Sequence, residues 1–548
     1  MPPSDAFFHG AVVSTIRFVH RHQFVFSRHL SSSLAAAGKT SSSLHTSKVE
    51  ALGNNRALLL LSPGRLRLRD NAALTRASEL GSCGLSICLV WPFKSMELQS
   101  PIEAFGYEVI RNLSKELEKR DQQLWLLPSY DEFLQAVQDL KPGHLVLDTC
   151  LLDRRRKLAL KVHNKLNETD VIVEEILDDG TLVEFDDVAK VLGRSRQGGR
   201  ILRWSTFLNN TMKVDLGIEQ HLQPTPTLPP QLSSDMNKII TSVTIPNTDS
   251  YPDWAREMLE IWGDVSEEEA MLRAKNAAAS TFSSSLTEIG SKSTKLSPYL
   301  RWGVISPQRA ARYGVRMRDL LWRDWSYVSY GLLGSLQRGD AVMEFMDNSC
   351  TNVHIQNISE TTLFNLWCVG NTGSILVDAG MRQLWKEGWM PRRIRLLAAA
   401  CLVEGLGLDW RLGRDWFEYT LIDHDQTINE AMWQNAGLCG VDPFYFGIPW
   451  EQSPNGQEEV DYVEKWINEP LTWPKNLRPY SSMEAPPQIR ESAKERRNSL
   501  RERGVYKAAR KVSNAGVRVA WEGLQTNTPV KVGEVIGSGL TPVKDLKI

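Results

Sequence analysis

The chain has 548 residues, with 64 Lys and Arg against 65 Asp and Glu, so its formal net charge is -1. That length supports several domains and a sizeable core, while the balanced charge argues against a surface that coats nucleic acid everywhere and leaves only a local basic patch. Seven scattered cysteines argue against a disulfide framework or a zinc cluster, and no apolar stretch reaches the roughly eighteen residues of a membrane span.

Between residues 1 and 49 the one acid is Asp5, while Arg17, Arg21, Arg28, Lys39 and Lys48 are spread through a Ser-rich segment. This is the composition of a plastid or mitochondrial transit peptide. The other reading is a disordered tail, which would leave the protein in the cytoplasm or nucleus. Residues 1–54 are set apart from the fold either way.

From residue 55 to 190 short apolar runs at 57–61, 85–90, 123–127, 144–148 and 171–174 predict strands. Phe105, Val109, Leu113 and Leu117 mark one face of a helix between them, and 130–140 reads as another. Alternation of this kind predicts an α/β domain with a doubly wound, Rossmann-like parallel sheet. No G-x-G-x-x-G follows the first strand, so a nicotinamide site is not supported. A linker spans 191–252, stiffest at the Pro-Thr-Pro-Thr-Leu-Pro-Pro of 224–230. Helical periodicity then predicts an all-α domain over 253–511, ending in a basic helix at 491–511 that reads as a solvated face, before a tail at 512–548.

The densest chemistry lies between Trp367 and Asn435. Arg392, Arg393 and Arg395 stand beside the apolar stretch 396–408, where guanidinium groups need carboxylates or a phosphate, and Asp423 and Asp425 are the nearest partners in sequence. Tryptophans, Arg–Asp pairs and an Asn suit a flat, polar-edged, redox-active ring. A helical core with satisfied ion pairs is the plain alternative. Upstream, Ser293, Thr294 and Ser297, with the amides of Lys295 and Leu296, precede a helix. Such a cluster holds a pyrophosphate or, more commonly, simply caps the helix.

The run is similar to the flavin-binding helical domain of the photolyase and cryptochrome family, whose pattern there is W-x-x-G-x-T-G, V-D-A-x-M-R-x-L, G-W-M, D-x-D-x-x-x-N and W-Q. The matching residues are Trp367, Gly370, Thr372, Gly373, the runs 377–384 and 388–390, then Asp423, Asp425, Asn429, Trp433 and Gln434. A second match, SKSTKLSPYLRWGVIS at 291–306, stands against T-S-x-L-S-P-Y-L-x-x-G-x-(I/V)-S, and the likeness covers roughly 56–511. The W-Q-N-A-G variant at 433–437 most resembles plant-like cryptochromes.

This resemblance implies a C-terminal helical FAD-binding domain, with Ser293, Thr294, Lys295, Leu296 and Ser297 at the diphosphate. It implies that the Arg395–Asp423 pair lies beside the isoalloxazine, where positive charge favours a reduced, anionic ring. Asp425 and the backbone at His424 would contact ring or ribose, and Asn429 would face N5, where an amide cannot deliver a proton. Trp433 and Trp410 match the first two members of a three-tryptophan electron relay. Asn357 replaces the third, so either Trp416 or Tyr419 completes a rerouted chain or photoreduction is inefficient. For repair of a flipped pyrimidine dimer, the resemblance points to Asp319 in place of a Glu, to Trp322 as one wall, and to Arg323 and Arg392, with Pro391, Arg392 and Arg393 replacing H-N-R. Asn435 replaces the second stacking tryptophan, a loss of about 1–3 kcal/mol per base, and Thr281 or Phe282 stands near a flavin-contacting Tyr. The segment at 62–74 resembles R-x-L-R-x-x-D-N-x-A-L, in a domain that can hold a pterin, folate or deazaflavin antenna. These departures favour an FAD-based blue-light photoreceptor acting on a signalling protein partner. A deoxyribodipyrimidine photolyase acting on damaged DNA and a flavin-free scaffold are the alternatives.

Overall fold

The computed structural model describes residues 55–93, 98–149, 161–162, 164–166, 169–178, 180–184, 187–196, 199–232, 242–279, 294–342, 358–443, 450–473, 475–502, 504–519 and 535–537. The segment 1–54, together with Thr281, Phe282, Ser293 and Asn357, lies outside them. Among the described residues no helix is long and apolar enough to cross a membrane.

Five strands, β1 (Arg56–Leu61), β2 (Gly84–Val90), β3 (Leu124–Leu127), β4 (His144–Thr149) and β5 (Ile172–Leu177), form an all-parallel sheet in the order β3-β2-β1-β4-β5. Its central strands are continuous apolar runs, as a sheet covered on both faces requires. Period-two alternation splits them into two cores. Leu58, Leu60 and Cys88 meet Trp125 and Phe133 on one face, whereas Leu59, Leu61 and Ile87 join Phe105 on the other. Three helices connect the first four strands: α1 (Ala72–Leu80), α2 (Pro101–Glu118) and α3 (Tyr130–Leu140). Asn71 caps α1, and a Ser100/Glu103 capping box with Pro101 starts α2.

The remaining helices used below are α4 (Trp204–Thr211), α5 (Asp253–Trp262), α6 (Glu267–Ala279), α7 (Ser297–Arg301), α8 (Pro307–Arg312), α9 (Met317–Leu332), α10 (Glu360–Cys368), α11 (Ile375–Glu387), α12 (Arg392–Ala400), α13 (Trp410–Thr420), α14 (Gln426–Ala436), α15 (Gln457–Asn468), α16 (Pro487–Glu502) and α17 (Val505–Ala515). One hydrophobic cluster runs from Leu59 and Phe105 through Tyr299 and Trp302 to Leu321, so the α/β and helical parts share a core. The 62–74 segment lies along the same seam. Asp70 accepts a fork from Arg309, at 2.6 and 2.8 Å, and the Ser306 hydroxyl at 2.9 Å.

One expectation is corrected and one element is added. The described part of 253–511 is helical as expected, but the segments flanking it form a second sheet: β6 (Gly193–Arg194) and β7 (Arg200–Leu202) from the linker join β8 (Val517–Val519) and β9 (Val535–Gly537) from the tail, antiparallel and in that order. Val517 and Val519 are buried around a half-buried Arg518, a three-residue alternation too short to register as a period. The basic helix at 491–511 is two helices, broken at Gly504 with φ 76, and Arg496 on it is buried instead of solvated.

Candidate functional site

Helix α12 has Pro391 at its N-cap and carries Arg392, Arg393 and Arg395 around its first turn. At 100° per residue they cannot share one partner. Arg395 forks Asp423, with Nη1 donating to Oδ1 at 3.1 Å and Nη2 to Oδ2 at 2.7 Å. Arg393 pairs with Glu459 on α15, and Arg392 lies 3.6 Å from Asp319 and over the Trp322 ring at 5.2 Å. The expected pairing of this arginine group with Asp425 does not occur. Asp425 caps α14, accepting from the amides of Thr427 and Ile428 at 3.0 and 3.2 Å, and accepts the Tyr327 hydroxyl at 2.5 Å. Burial opposes its charge, but Arg301 and Arg323 outweigh burial and hold its carboxyl below the usual range.

The Ser/Thr segment meets this acidic turn. The Ser297 hydroxyl donates to Asp423 Oδ2 at 2.6 Å and accepts from Trp389 Nε1 at 3.1 Å. Thr294 Oγ1 accepts the Leu296 amide at 3.3 Å, and Lys295 ion-pairs with Glu387 at 2.8 Å. Lys295 does this from a left-handed φ of 47, a conformation unfavourable for a side chain of this kind. His424 is nearly buried; burial, with Arg301 alongside, lowers its imidazole to about 4, so the ring is neutral at pH 7. Its Nε2 has no hydrogen-bond partner among the described residues. The Asn429 amide donates to the Arg414 carbonyl at 3.0 Å.

Trp433 is 2 % exposed and touches Phe417 and Trp367 edge-on, with ring centroids 5.0 and 6.3 Å away. Trp410, at the start of α13, lies beneath the Arg411 and Arg414 guanidinium groups, 4.8 and 5.4 Å from its ring. Cations there disfavour a positive charge on that indole. A further aromatic series is not evident from spacing. Trp367 stacks on Phe364 at 6.0 Å, Phe364 meets Trp416 at 6.5 Å, and Trp416 stacks on Trp385 at 6.2 Å. Trp385 continues to Trp473 at 5.4 Å, and Tyr419 branches from Trp416 at 5.8 Å. Trp416 and Tyr419 were expected candidates. Trp367 is legible only as a motif residue and Trp385 not at all, because only the fold brings these helices together.

On the opposite rim, Trp322 donates to Met432 Sδ at 3.3 Å and packs edge-on against Trp204 at 4.4 Å. Asp319 is held by Arg316 at 2.9 Å as well as by Arg392. Arg323, expected beside Trp322, instead reaches into the seam between the domains, donating to the Gly180 carbonyl and to the Tyr327 hydroxyl. Asn435 is buried, with its Oδ1 accepting the Asp442 amide at 2.8 Å.

Residues 316–507 match the family model for the FAD binding domain of DNA photolyase. The chain is 26% identical over 434 residues to a deoxyribodipyrimidine photo-lyase of Buchnera aphidicola, covering 74% of this chain and 86% of that protein. It is also 35% identical over 194 residues to cryptochrome DASH of Danio rerio and 33% over 203 residues to the chloroplastic/mitochondrial cryptochrome DASH of Arabidopsis thaliana. Those two matches span 36% and 34% of the respective proteins. The fold is similar to that of a bacterial class III photolyase from Agrobacterium tumefaciens, with a TM-score of 0.64 at 22% identity, covering 84% of this chain and 99% of that one.

The residues present fit an FAD. A bidentate Arg–Asp pair, accessible Ser and Thr hydroxyls, a neutral His with an orphaned buried nitrogen, and nearby indoles are the donor set that a dinucleotide with a flat polar ring requires.

Proposed function

Because the chain belongs to the photolyase/cryptochrome family, we propose that it is a blue-light photoreceptor holding FAD among its C-terminal helices, most like a plant-like cryptochrome. The observation that carries this reading is a one-sided substrate wall. Trp322 offers one aromatic face, while the position of the second is Asn435, whose side chain is spent on the Asp442 amide. Asp319 is likewise engaged by Arg316 and Arg392.

When bound, FAD supplies blue-light absorption and an electron-accepting ring. Arg395 contributes positive charge beside that ring, oriented by Asp423. Ser297 and Thr294 offer hydroxyls to the diphosphate, joined in this reading by Ser293 and the amides of Lys295 and Leu296. His424 and Asp425 would hold the ring or ribose. Asn429 would stand at N5, where an amide has no transferable proton to supply. Trp433 and Trp410 are the electron donors, with Trp367, Trp416 and Trp385 as an additional reservoir. A protein partner reads the light-altered site. An antenna chromophore in the α/β domain belongs to the same proposal; an archaeal photolyase of similar fold from Sulfolobus tokodaii is described with two FAD molecules. The acid-poor segment 1–54 and the chloroplastic/mitochondrial names of plant relatives support an organellar address.

A repair reading draws on Trp322 with Arg392 above it, a cationic aromatic face suited to a flipped base and its phosphate. Two measurements on dark-purified protein separate the readings. The receptor reading expects a visible flavin spectrum that changes under blue light and no loss of dimer from a pyrimidine-dimer oligonucleotide under the same illumination. Light-dependent dimer loss would replace it with the repair enzyme. Colourless protein that takes up no flavin would replace both with a scaffold.

A further inference from the structure

We propose that Tyr327 is a positioning residue through which the α/β domain feels whether the cofactor site is filled: a dinucleotide bound beside Asp425 tightens the backbone of residues 180–183. The proposal rests on the flavin reading above.

The chain leaves the edge strand β5 as a short strap, and the helical part grips four successive residues of it by their backbone. Arg323 on α9 donates to the Gly180 carbonyl, and Gln308 on α8 donates to that of Thr181 at 2.9 Å. One oxygen of Asp324, Oδ2, accepts both the Leu182 and the Val183 amides, at 2.8 and 2.9 Å. Asp324, Leu182 and Val183 are all buried, so these charge-assisted bonds are shielded from water. On its other side the strap is fixed by Asp178, which accepts the Gly180 amide at 2.7 Å and pairs with Arg65 at 2.9 Å and Arg67 at 3.3 Å.

One turn along α9 from Arg323 stands Tyr327, on the same face of the helix. The Arg323 guanidinium lies 4.6 Å over the tyrosine ring and donates to its hydroxyl at 3.2 Å, and that hydroxyl donates to Asp425 Oδ2 at 2.5 Å. Burial pushes the phenol up, so it stays a donor at ordinary pH. From Asp425 to Gly180 the path is therefore two side chains long.

Asp425 is half-buried, so water reaches its carboxylate while the site is empty. A ligand that displaces this water strengthens the attraction between Asp425 and the donors it already has, because the local dielectric falls. A firmer Tyr327 holds Arg323, and with it the Gly180 carbonyl. By linkage, whatever the ligand adds at the strap is returned as affinity for the ligand.

The test compares the full chain stripped of flavin with the same chain saturated with FAD. Amide hydrogen exchange is followed at Leu182 and Val183, and FAD affinity is read from quenching of flavin fluorescence. In wild type, FAD should slow exchange at these two amides by about tenfold, within the roughly 5–150-fold range of coupled sites. Tyr327→Phe keeps the ring and loses the hydroxyl. It should still bind FAD, more weakly by a similar factor, and its exchange at the two amides should be the same with FAD as without. A merely structural tyrosine would give faster exchange in both states and leave the FAD effect intact, which would overturn the proposal. Wild-type exchange that ignores bound FAD would overturn it as well. Flavin absorbance of the same samples shows uptake directly, so a chain that takes up no FAD brings down the flavin reading together with this proposal, whereas the other two failures bring down this proposal alone.

Discussion

At the residue scale, two glycines make room for Trp433 and Trp410, the two indoles proposed as a relay. A Cβ on Gly413 would fall 2.1 Å from the Trp433 ring, and one on Gly437 would fall 2.5 Å from Trp410. Each indole therefore packs on the backbone of the helix that bears the other, which fixes both rings more firmly than side-chain packing alone. Gly413→Ala forces Trp433 to move in a core with no slack, a cost of about 1–3 kcal/mol. The expected outcome is a lower urea midpoint together with slower flavin reduction under blue light. A variant unchanged in both would show that this packing does not position the indole. The Trp residues themselves are legible from their register with the D-x-D and W-Q motifs, but the glycine seats are not, because the contact joins two helices.

At the element scale, the turn between α12 and α13 is π-helical over Cys401–Gly405, with the Leu406 amide bonding five residues back to Cys401. It buries Glu404, which accepts the Tyr506 hydroxyl from α17 near Arg496, Arg497 and Glu451. Burial pushes the Glu404 carboxyl up to about 7 against the pull of these donors. A carboxyl raised in the folded state stabilises below its unfolded value and loses that contribution as pH rises to the folded one. Stability therefore falls between about pH 4.5 and about pH 7 on this account, by on the order of 3 kcal/mol at most. Glu404→Gln should flatten that part of the profile, read as urea midpoints at about pH 5 and about pH 8. An identical pH dependence in wild type and variant would reject the assignment. The arginine partners show why elements resist reading from sequence. Arg392, Arg393 and Arg395 are close in the chain but diverge around α12 to Asp319 on α9, Glu459 on α15 and Asp423 in the turn before α14. Only the last pairing was legible, and it came from the resemblance, since spacing offered Asp425 equally.

At the scale of the whole molecule, the parallel sheet was readable because β1, β2 and β3 are apolar runs bounded by turns, and its core is continuous with that of the helices through Phe105, Tyr299 and Trp302. The second sheet was not readable: strands of two or three residues carry no period, and their pairing joins the linker to the tail. In the proposed function, what unites the helical half is a ring site that Arg395 and Asp423 would clasp, with buried Trp433 as its electron donor. Illuminating wild type and Trp433→Phe side by side and following the oxidised flavin band tests this most directly. The account predicts that wild type loses the band and that the variant does so at least about tenfold more slowly, a barrier difference of about 1.4 kcal/mol. Equal rates in the two proteins would contradict it.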